Sequence, residues 1–298
     1  MKKESDTNFP GWSRVLLIII PWFFISGLFY FIGALIVGYD FWNYNSPQSL
    51  EEEVILSLFG LAGTCLTVCV FHCGVGRESF QSMGFYKPGM IRELATGMVL
   101  GAVILSLGFA LLLLSGEIRI VSSSLELKKI FLLVILYVAV AVNEELLFRG
   151  YILNNLMKSF SRGLALFITS ISFSLIHLGN SHYSLISFLN ILLVGVLLGL
   201  PYIYTKSLWI PVALHFSWNF FQGGVWGFHV SGNTIYYSIN VQTKTSDNYL
   251  NGGDFGFEGS LLCAIIQLIA IFLLWRYYER KLPSANAGLT EHGCRSEF

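Results

Sequence analysis

The sequence predicts an all-α integral membrane protein, a polytopic bundle of about eight transmembrane helices. Of its 298 residues, 54% are hydrophobic and only 12% are charged, whereas about a quarter of the residues of a soluble domain are charged. The mean hydropathy is +0.65. Apolar runs of roughly 20 residues, the length that crosses the hydrocarbon core of a bilayer, recur along the chain. We therefore expect residues 1–298 to form a single integral membrane domain.

Eight segments are predicted to cross the membrane. They cover about residues 14–37, 54–73, 94–115, 129–150, 163–178, 184–204, 208–223 and 259–277. The first segment follows Lys2 and Lys3 as a signal peptide would, but its apolar run is longer than the core of a typical signal peptide. It is therefore predicted to remain as a membrane helix. Residues 282–298 are predicted to form a disordered cytoplasmic tail.

The distribution of basic residues predicts that both termini lie in the cytoplasm, because cytoplasmic segments are enriched in lysine and arginine. The residues assigned to that side are Lys2, Lys3, Arg14, Arg77, Lys87, Arg92, Lys158, Arg162, Lys206, Arg276, Arg280, Lys281 and Arg295. The opposite side would hold Arg119, Lys128, Lys129 and Lys244. This asymmetry predicts a multi-pass membrane protein with both termini inside, with residues 224–259 as an extracytoplasmic loop or a re-entrant cap.

Composition and cysteine usage exclude several classes of function. The formal net charge of zero gives no indication of nucleic-acid binding. Four of the five cysteines lie in or beside apolar segments, which argues against a disulfide framework. Cys65, Cys69 and Cys73 share one helix face. Packing against a neighbouring helix is the preferred interpretation of that face, and a metal site with His72 is the alternative.

An acidic motif ends the fourth predicted span. Glu144 and Glu145 follow a nearly uncharged apolar run, and Arg149 comes four residues after the second glutamate. Glu145 and Arg149, at i and i+4, can pair on one helix face, whereas Glu144 points about 100° away. Charged groups within a membrane are costly and are usually functional. An uncompensated Glu144 suits a general acid or base, and the alternative is a helix that simply ends at the interface.

Two histidines occur in the short fifth and seventh spans. His177 lies one turn after Phe173, and His215 lies one turn before Asn219. Glu144 and His177 are almost equally far from the predicted turn at Ser161, roughly 24–26 Å of helix each, so they should face each other at similar depth. The imidazole of His215 and the amide of Asn219 project from one face and require polar partners in an apolar environment.

This set of side chains is compatible with two chemistries of peptide hydrolysis. In one, Glu144 and His177 activate water while His215 and Asn219 stabilise the oxyanion. In the other, Glu144, His177 and His215 bind a zinc ion that activates the water. The compact zinc motif His-Glu-x-x-His and the nucleophilic motif Gly-x-Ser-x-Gly are both absent from the sequence. No cofactor is required by the first mechanism, and zinc remains the alternative.

Three motifs resemble those of the CAAX prenyl protease type II and bacteriocin-processing (CPBP, or Abi) intramembrane proteases. Residues 144–150 (EELLFRG) are similar to the family's Glu-Glu-x-x-x-Arg, residues 173–177 (FSLIH) to Phe-x-x-x-His, and residues 215–219 (HFSWN) to His-x-x-x-Asn. All three occur in the family's order within about residues 130–222, the expected catalytic core. Residues 252–259 (GGDFGFEG) also resemble a stretch of bacterial members, with Phe257 where proline is frequent.

The resemblance implies an eight-span membrane endopeptidase, of the glutamate type or a metalloprotease. It assigns water activation to Glu144 and His177, oxyanion binding to His215 and Asn219, and catalytic or supporting roles to Glu145 and Arg149. Phe173 matches a motif position and would support the site. The expected partners are the lipid bilayer and a membrane-associated peptide or protein, either prenylated or bacteriocin-like. The expected location is the bacterial cytoplasmic membrane.

Two other functions are compatible with the same residues. A non-catalytic membrane protein, such as an immunity factor or a scaffold, could keep the motifs for packing. A proton-coupled transporter could use Glu144 and the histidines as a relay. The sequence shows no inverted repeat and no matched pair of broken helices, which argues against the transporter.

Overall fold

The computed structural model of the protein describes residues 9–40, 49–233, 238–244 and 249–291. Within them, eight helices of eleven or more residues form a bundle. They are α1 (Gly11–Val37), α2 (Leu50–Cys69), α3 (Met90–Leu114), α4 (Leu127–Glu145), α5 (Arg162–Ile176), α6 (Leu185–Thr205), α7 (Trp209–Asn219) and α8 (Leu261–Glu291). The predicted all-α membrane bundle is thereby confirmed as a fold class.

Three of the helices continue as wider π-helical segments. These are Val70–Val75 after α2, Leu146–Leu153 after α4 and Phe220–Val225 after α7, and the second is followed by a last α-helical turn at Asn154–Leu156. None was predicted, because the sequence positions were assigned to regular α-helices. Single π-helical turns within α-helices often occur at functional sites, and two of these three directly follow predicted site residues.

Six helical segments are long and apolar enough to cross a membrane. They are Gly11–Val37, Leu50–Val75, Met90–Leu114, Leu127–Leu156, Leu185–Thr205 and Leu261–Lys281. The other two helices are shorter: α5 has 15 residues and α7 has 11. At ~1.5 Å per residue, 15 residues cover about 22 Å, less than the roughly 30 Å of a hydrocarbon core. The integral multi-pass character is supported, whereas the count of eight full crossings is not confirmed.

The beginning of α1 and the end of α8 lie at the same end of the bundle. The backbone N–H of Trp12 donates to Ser159 Oγ after α4 at 3.2 Å. Across the same end, the rings of Tyr204 at the end of α6 and Tyr278 in α8 stack with centroids 5.0 Å apart. We call this end the terminal end and the other the loop end.

A two-stranded antiparallel sheet covers part of the loop end, which the all-α prediction did not include. Strand β1 (Ile118–Ser123) lies between α3 and α4, and β2 (Ile239–Thr243) lies between α7 and α8. Arg119 lies opposite Gln242, and its Nε donates to the Gln242 side chain at 3.0 Å. The sheet therefore places the two loops predicted to be extracytoplasmic at one end of the bundle.

Small residues set the packing of the helices that position the predicted site. A Cβ atom on Gly97 of α3 would lie 2.6 Å from the carbonyl oxygen of Ile210, and one on Gly101 would lie 2.8 Å from Ser217 Cβ. On the other side of the bundle, a Cβ on Gly195 of α6 would lie 2.9 Å from Ser170 Cα. Glycines at these positions allow α3 to approach α7, and α6 to approach α5, closely.

The last helix modifies the prediction for the C-terminal tail. Helix α8 extends to Glu291, so the first part of the predicted disordered tail is helical, while residues 292–298 lie outside the described residues.

Among the described cysteines, Cys65, Cys69, Cys73 and Cys263 are free. No group of metal-binding side chains includes them within the described residues, so packing remains the better interpretation.

Candidate active site

The acidic motif lies where α4 changes from α-helix to π-helix. Glu144 and Glu145 are its last two α-helical residues, and all eight residues of the following π-helix are buried. Glu145 Oε1 accepts a hydrogen bond from Arg149 Nη1 at 2.7 Å, with both side chains fully buried. The predicted pairing of Glu145 with Arg149 is confirmed, even though Arg149 belongs to the wider helix.

Arg149 is fixed on three sides. Besides Glu145, it donates from Nη2 to the carbonyl oxygen of Gly195 at 3.0 Å. Its guanidinium carbon lies 4.6 Å from the centre of the Phe173 ring. This cation–π contact gives Phe173 the supporting position that its motif implied. Arg149 thus joins α4, α5 and α6, and it holds Glu145 in a defined orientation.

His215 approaches both glutamates of the motif. Its Nδ1 lies 2.8 Å from Glu145 Oε1, and its Nε2 lies 3.8 Å from Glu144 Oε2. An ionised Glu145 can only accept a hydrogen bond, so His215 Nδ1 carries the proton and Nε2 faces Glu144. Sequence spacing had assigned Glu145 to Arg149 alone. Its second bond, to a histidine 70 residues away, depends on helix packing that spacing does not specify.

Helix α7 directs His215 and Asn219 away from α3. Ser217 lies between them in sequence, and its Oγ donates to the Met98 carbonyl oxygen at 2.7 Å. A residue two positions away on a helix points to nearly the opposite face. Asn219 is only 6% exposed, yet its side-chain amide makes no hydrogen bond within the part of the chain that the structure describes. This buried amide is therefore available to a bound molecule.

His177 ends α5 and is held by its own helix. Its Nδ1 lies 2.7 Å from the Phe173 carbonyl oxygen, which identifies Nδ1 as the donor and leaves Nε2 as an acceptor. The Phe173 ring packs against Phe148, with centroids 5.1 Å apart, and against the rings of His177 and His215 at 4.9 and 6.2 Å. Both histidines therefore present Nε2 and use Nδ1 for orientation.

All four predicted catalytic side chains line one cavity of about 460 Å³. Glu144, His177, His215 and Asn219 share it. Toward the loop end its wall includes Glu53 from the first turn of α2, Asn180 after α5 and Asn233 from the connection between α7 and α8. Glu144, at 20% side-chain exposure, is open to this space, whereas Glu145 is fully buried. The geometric prediction that these groups converge from different helices is confirmed.

Glu258 is a buried site residue that the sequence did not identify as such. Its Oε1 accepts from Trp218 Nε1 at 2.9 Å, and its Oε2 accepts from the Ser231 backbone N–H and Oγ at 2.8 and 2.9 Å. Its own carbonyl oxygen accepts from Asn190 Nδ2 at 2.7 Å. The sequence feature that could have identified Glu258 is the resemblance of residues 252–259 to a stretch of bacterial family members. Glu258 joins the loop over the cavity to α7 beside Asn219.

Glu144, His177 and His215 are the predicted ligands of a zinc ion. Among the described residues, no group of three or more His, Cys, Asp or Glu side chains is arranged to hold a metal ion. Catalytic zinc sites use three protein ligands. His215 Nε2 lies 3.8 Å from Glu144 Oε2, which is beyond hydrogen-bond distance. Glu144, His177 and His215 do not form a three-ligand group of this kind in the described part of the chain.

Comparison with known proteins supports the resemblance. Residues 126–221 match a family model described as type II CAAX prenyl endopeptidase Rce1-like. This segment, about a third of the chain, contains every predicted site residue. No curated protein matches the chain. The suspected similarity to CPBP intramembrane proteases is confirmed by this match, and it supports a membrane protease activity of the CAAX type in general.

Proposed function

We propose that this protein is an intramembrane endopeptidase in which Glu144 and His177 activate a water molecule. The observation that carries this proposal is the convergence of Glu144, His177, His215 and Asn219 on one cavity. Glu144 has an oxygen with no hydrogen-bond partner among the described residues, and His177 presents a free Nε2 acceptor. A water molecule in the cavity can donate to such acceptors, which is how a general base acts on it.

The proposed reaction begins with attack of the water oxygen on the carbonyl carbon of the scissile peptide bond. The water proton passes to Glu144, and the carbonyl oxygen becomes an oxyanion. Asn219 Nδ2 and a protonated His215 Nε2 donate hydrogen bonds to this oxyanion. The Glu145 carboxylate, 2.8 Å from Nδ1, stabilises that protonated imidazole. The Glu144 carboxylate, 3.8 Å from Nε2, adds to this only until it takes the water proton. Glu144 then returns its proton to the amine as the C–N bond breaks.

Glu145, Arg149 and Phe173 have positioning roles in this scheme. Arg149 fixes Glu145, and Glu145 sets the tautomer and direction of His215. Phe173 provides the carbonyl that orients His177 and the ring that supports Arg149. The arrangement corresponds to a carboxylate–histidine pair, in which an orienting group acts through the side chain that touches the substrate.

The orientation in the membrane is part of the proposal. We propose that the terminal end is cytoplasmic, because it carries most lysines and arginines. Membrane-impermeant maleimide should then label Asn233→Cys from outside intact cells and Arg162→Cys only after the cells are opened, both in a background with the native cysteines replaced by alanine. Labelling of Arg162→Cys in intact cells would reverse the orientation.

Peptide hydrolysis tests the proposed function directly. The purified protein in proteoliposomes should cleave a membrane-anchored reporter peptide, and Glu144→Gln should lower kcat/KM by at least about 10³-fold. His177→Ala should have an effect of similar size. Glu126→Gln and His182→Asn, which alter exposed side chains outside the cavity wall, are matched controls and should keep full activity. Cleavage by both cavity variants at the wild-type rate would refute the proposal.

A further inference from the structure

The wall of the cavity carries three acidic side chains, and its basic side chains among the described residues are the two histidines His177 and His215. Three carboxylates line it, those of Glu53, Glu144 and Glu258, and its lining within the described part of the chain includes no lysine or arginine. The one buried cation beside it, Arg149, is already paired with Glu145. In a water-poor site such a wall attracts positive charge and repels negative charge.

The three carboxylates differ in what they can still bind. Glu258 accepts three hydrogen bonds, from Trp218 and from the backbone and hydroxyl of Ser231. Glu144 lies beside His215 and is assigned to water. The Glu53 carboxylate has no hydrogen-bond or ion-pair partner within the described residues. Glu53 is therefore the carboxylate with free capacity for a bound cation.

Glu53 is held in place by the start of its helix. Ser49 and Glu52 form a capping box, in which each side chain bonds to the backbone of the other. This motif fixes the first turn of α2, so the direction of Glu53 into the cavity does not depend on a side-chain partner. Glu51, two residues before Glu53, instead points outward and pairs with Lys128 at 2.7 Å.

An independent feature of the cavity also indicates a ligand. The Asn219 residue is only 6% exposed and lines the cavity, and its side-chain amide has no hydrogen-bond partner among the described residues. A molecule bound in the cavity can satisfy this amide. A peptide carbonyl would do so, and the volume of about 460 Å³ falls in the range of small-ligand sites, roughly 300–1,000 Å³.

We infer that the substrate is a peptide segment with a lysine or arginine side chain near the scissile bond, and that Glu53 is the specificity-determining residue that binds it. The inference rests on the proposed function, because it places the bound peptide in the same cavity. A lysine or arginine side chain of the bound peptide would supply the cation that Glu53 lacks among the described residues.

Paired binding and cleavage experiments test this inference. A pool of synthetic peptides with Lys, Gln or Glu at each position is presented to the protein in detergent micelles. Binding is measured on the Glu144→Gln protein, which is expected to bind without cleaving. Lys peptides should bind about ten-fold more tightly than their Gln twins, the effect of one partly buried charge pair. High salt should reduce this preference.

Substitutions in the first turn of α2 identify the residue responsible. Glu53→Gln should make Lys and Gln peptides bind equally, and Glu53→Lys should shift the preference to Glu peptides. Glu51→Gln removes the same charge from an exposed site and should leave the preference unchanged. Equal binding of all peptides, no binding of any peptide, or a preference that survives Glu53→Gln would overturn the inference. A Glu53-dependent preference without cleavage by the wild-type protein would support it and refute the proposed function.

Discussion

Two ion clusters of this protein each join an arginine to a glutamate, at different depths of the bundle. In the terminal cluster, Glu78 Oε1 accepts from Arg14 Nη1 at 2.6 Å and from Lys158 Nζ at 2.5 Å. It connects the first turn of α1, the segment between α2 and α3, and the segment after α4. Two cations surround one carboxylate, so the negative charge is fully compensated.

The central cluster consists of Glu144, Glu145, Arg149 and His215, and it leaves polar atoms without partners. Glu145 Oε1 is shared by Arg149 and His215, but Glu144 Oε2, Glu145 Oε2 and Arg149 Nε have no hydrogen-bond partner among the described residues. Buried polar groups are normally satisfied. Under the proposed function, the compensated charge at the terminal end stabilises the fold, whereas the uncompensated charge in the centre binds water and substrate.

Among substitutions that compare the two clusters, the largest expected effect comes from separating Glu145 from His215. Glu145→Gln and His215→Ala should each lower kcat/KM by about 10²–10³-fold, because one removes the orienting acceptor and the other the oxyanion donor. The double variant should be little worse than either single one, since the two residues act as a unit. A double-mutant cycle of peptide cleavage measures this coupling. Effects that simply multiply would show that the two residues act independently.

The terminal cluster should affect stability rather than chemistry. Burial opposes ionisation of Glu78, but the hydrogen bonds and charges of Lys158 and Arg14, with a contribution from His72, outweigh it and lower the Glu78 pKa below its ordinary value of 4.5. Glu78→Gln should reduce the free energy of unfolding by about 1–2 kcal/mol, less than for a fully buried pair because solvent screens the site. Activity per folded molecule should not change.

The pH dependence of stability follows from the same shift. A carboxyl with a lower pKa in the folded than in the unfolded state stabilises the fold fully above about pH 4.5, and this contribution is lost as the pH falls through the folded-state pKa. The melting temperature of the wild-type protein should therefore fall below that pH more steeply than that of Glu78→Gln. Parallel curves for the two proteins would show that Glu78 is not the acid-sensitive group.

A conservative arginine change distinguishes the two clusters further. Arg149→Lys keeps the charge but loses the guanidinium group, whose two terminal nitrogens donate to Glu145 and Gly195. The kcat/KM of cleavage should therefore fall by about ten-fold. Arg14→Lys at the terminal end retains an ammonium group for Glu78. This variant should change kcat/KM by less than about two-fold. Similar losses of kcat/KM in both variants would remove the functional distinction between the clusters.

The smallest expected effect concerns the loop over the cavity. Glu258→Gln replaces one acceptor by a donor facing Trp218 or Ser231, and should loosen the loop and raise KM several-fold with a smaller change in kcat. Ser231→Ala removes only one of the three hydrogen bonds and should do less. Hydrogen exchange of the Ser231 amide, whose N–H donates to Glu258, reports the loosening. Unchanged protection of this amide in Glu258→Gln would contradict the positioning role.

The sequence predicted the contacts that depend on helical periodicity. Two pairs are separated by four residues: Glu145 with Arg149, and His215 with Asn219. A helix places the members of such a pair on one face, whatever its position in the bundle. The similar depth of Glu144 and His177 followed from counting residues from the turn at Ser161. These local rules remained valid even though Arg149 lies in a π-helix.

The remaining features depend on contacts between distant segments. Examples are the bond from His215 to Glu145, the pairing of β1 with β2 and the bond from Trp218 to the buried Glu258. These contacts join residues separated by 40 to more than 100 positions. The Phe257 ring packs so closely against Gly108 that a Cβ on that glycine would lie 2.3 Å from it. Such contacts are set by the packing of whole helices, which periodicity does not determine.

Cleavage in oxygen-18 water tests the central claim most directly. Equal amounts of folded wild-type and Glu144→Gln protein are incubated with a membrane-anchored peptide, and the products are analysed by mass spectrometry. The wild-type protein should yield a new C-terminus with one labelled oxygen, because the attacking atom comes from water, and Glu144→Gln should yield almost none. Product formed equally by the Glu144→Gln protein, or product without label, would contradict a water-activating role of Glu144.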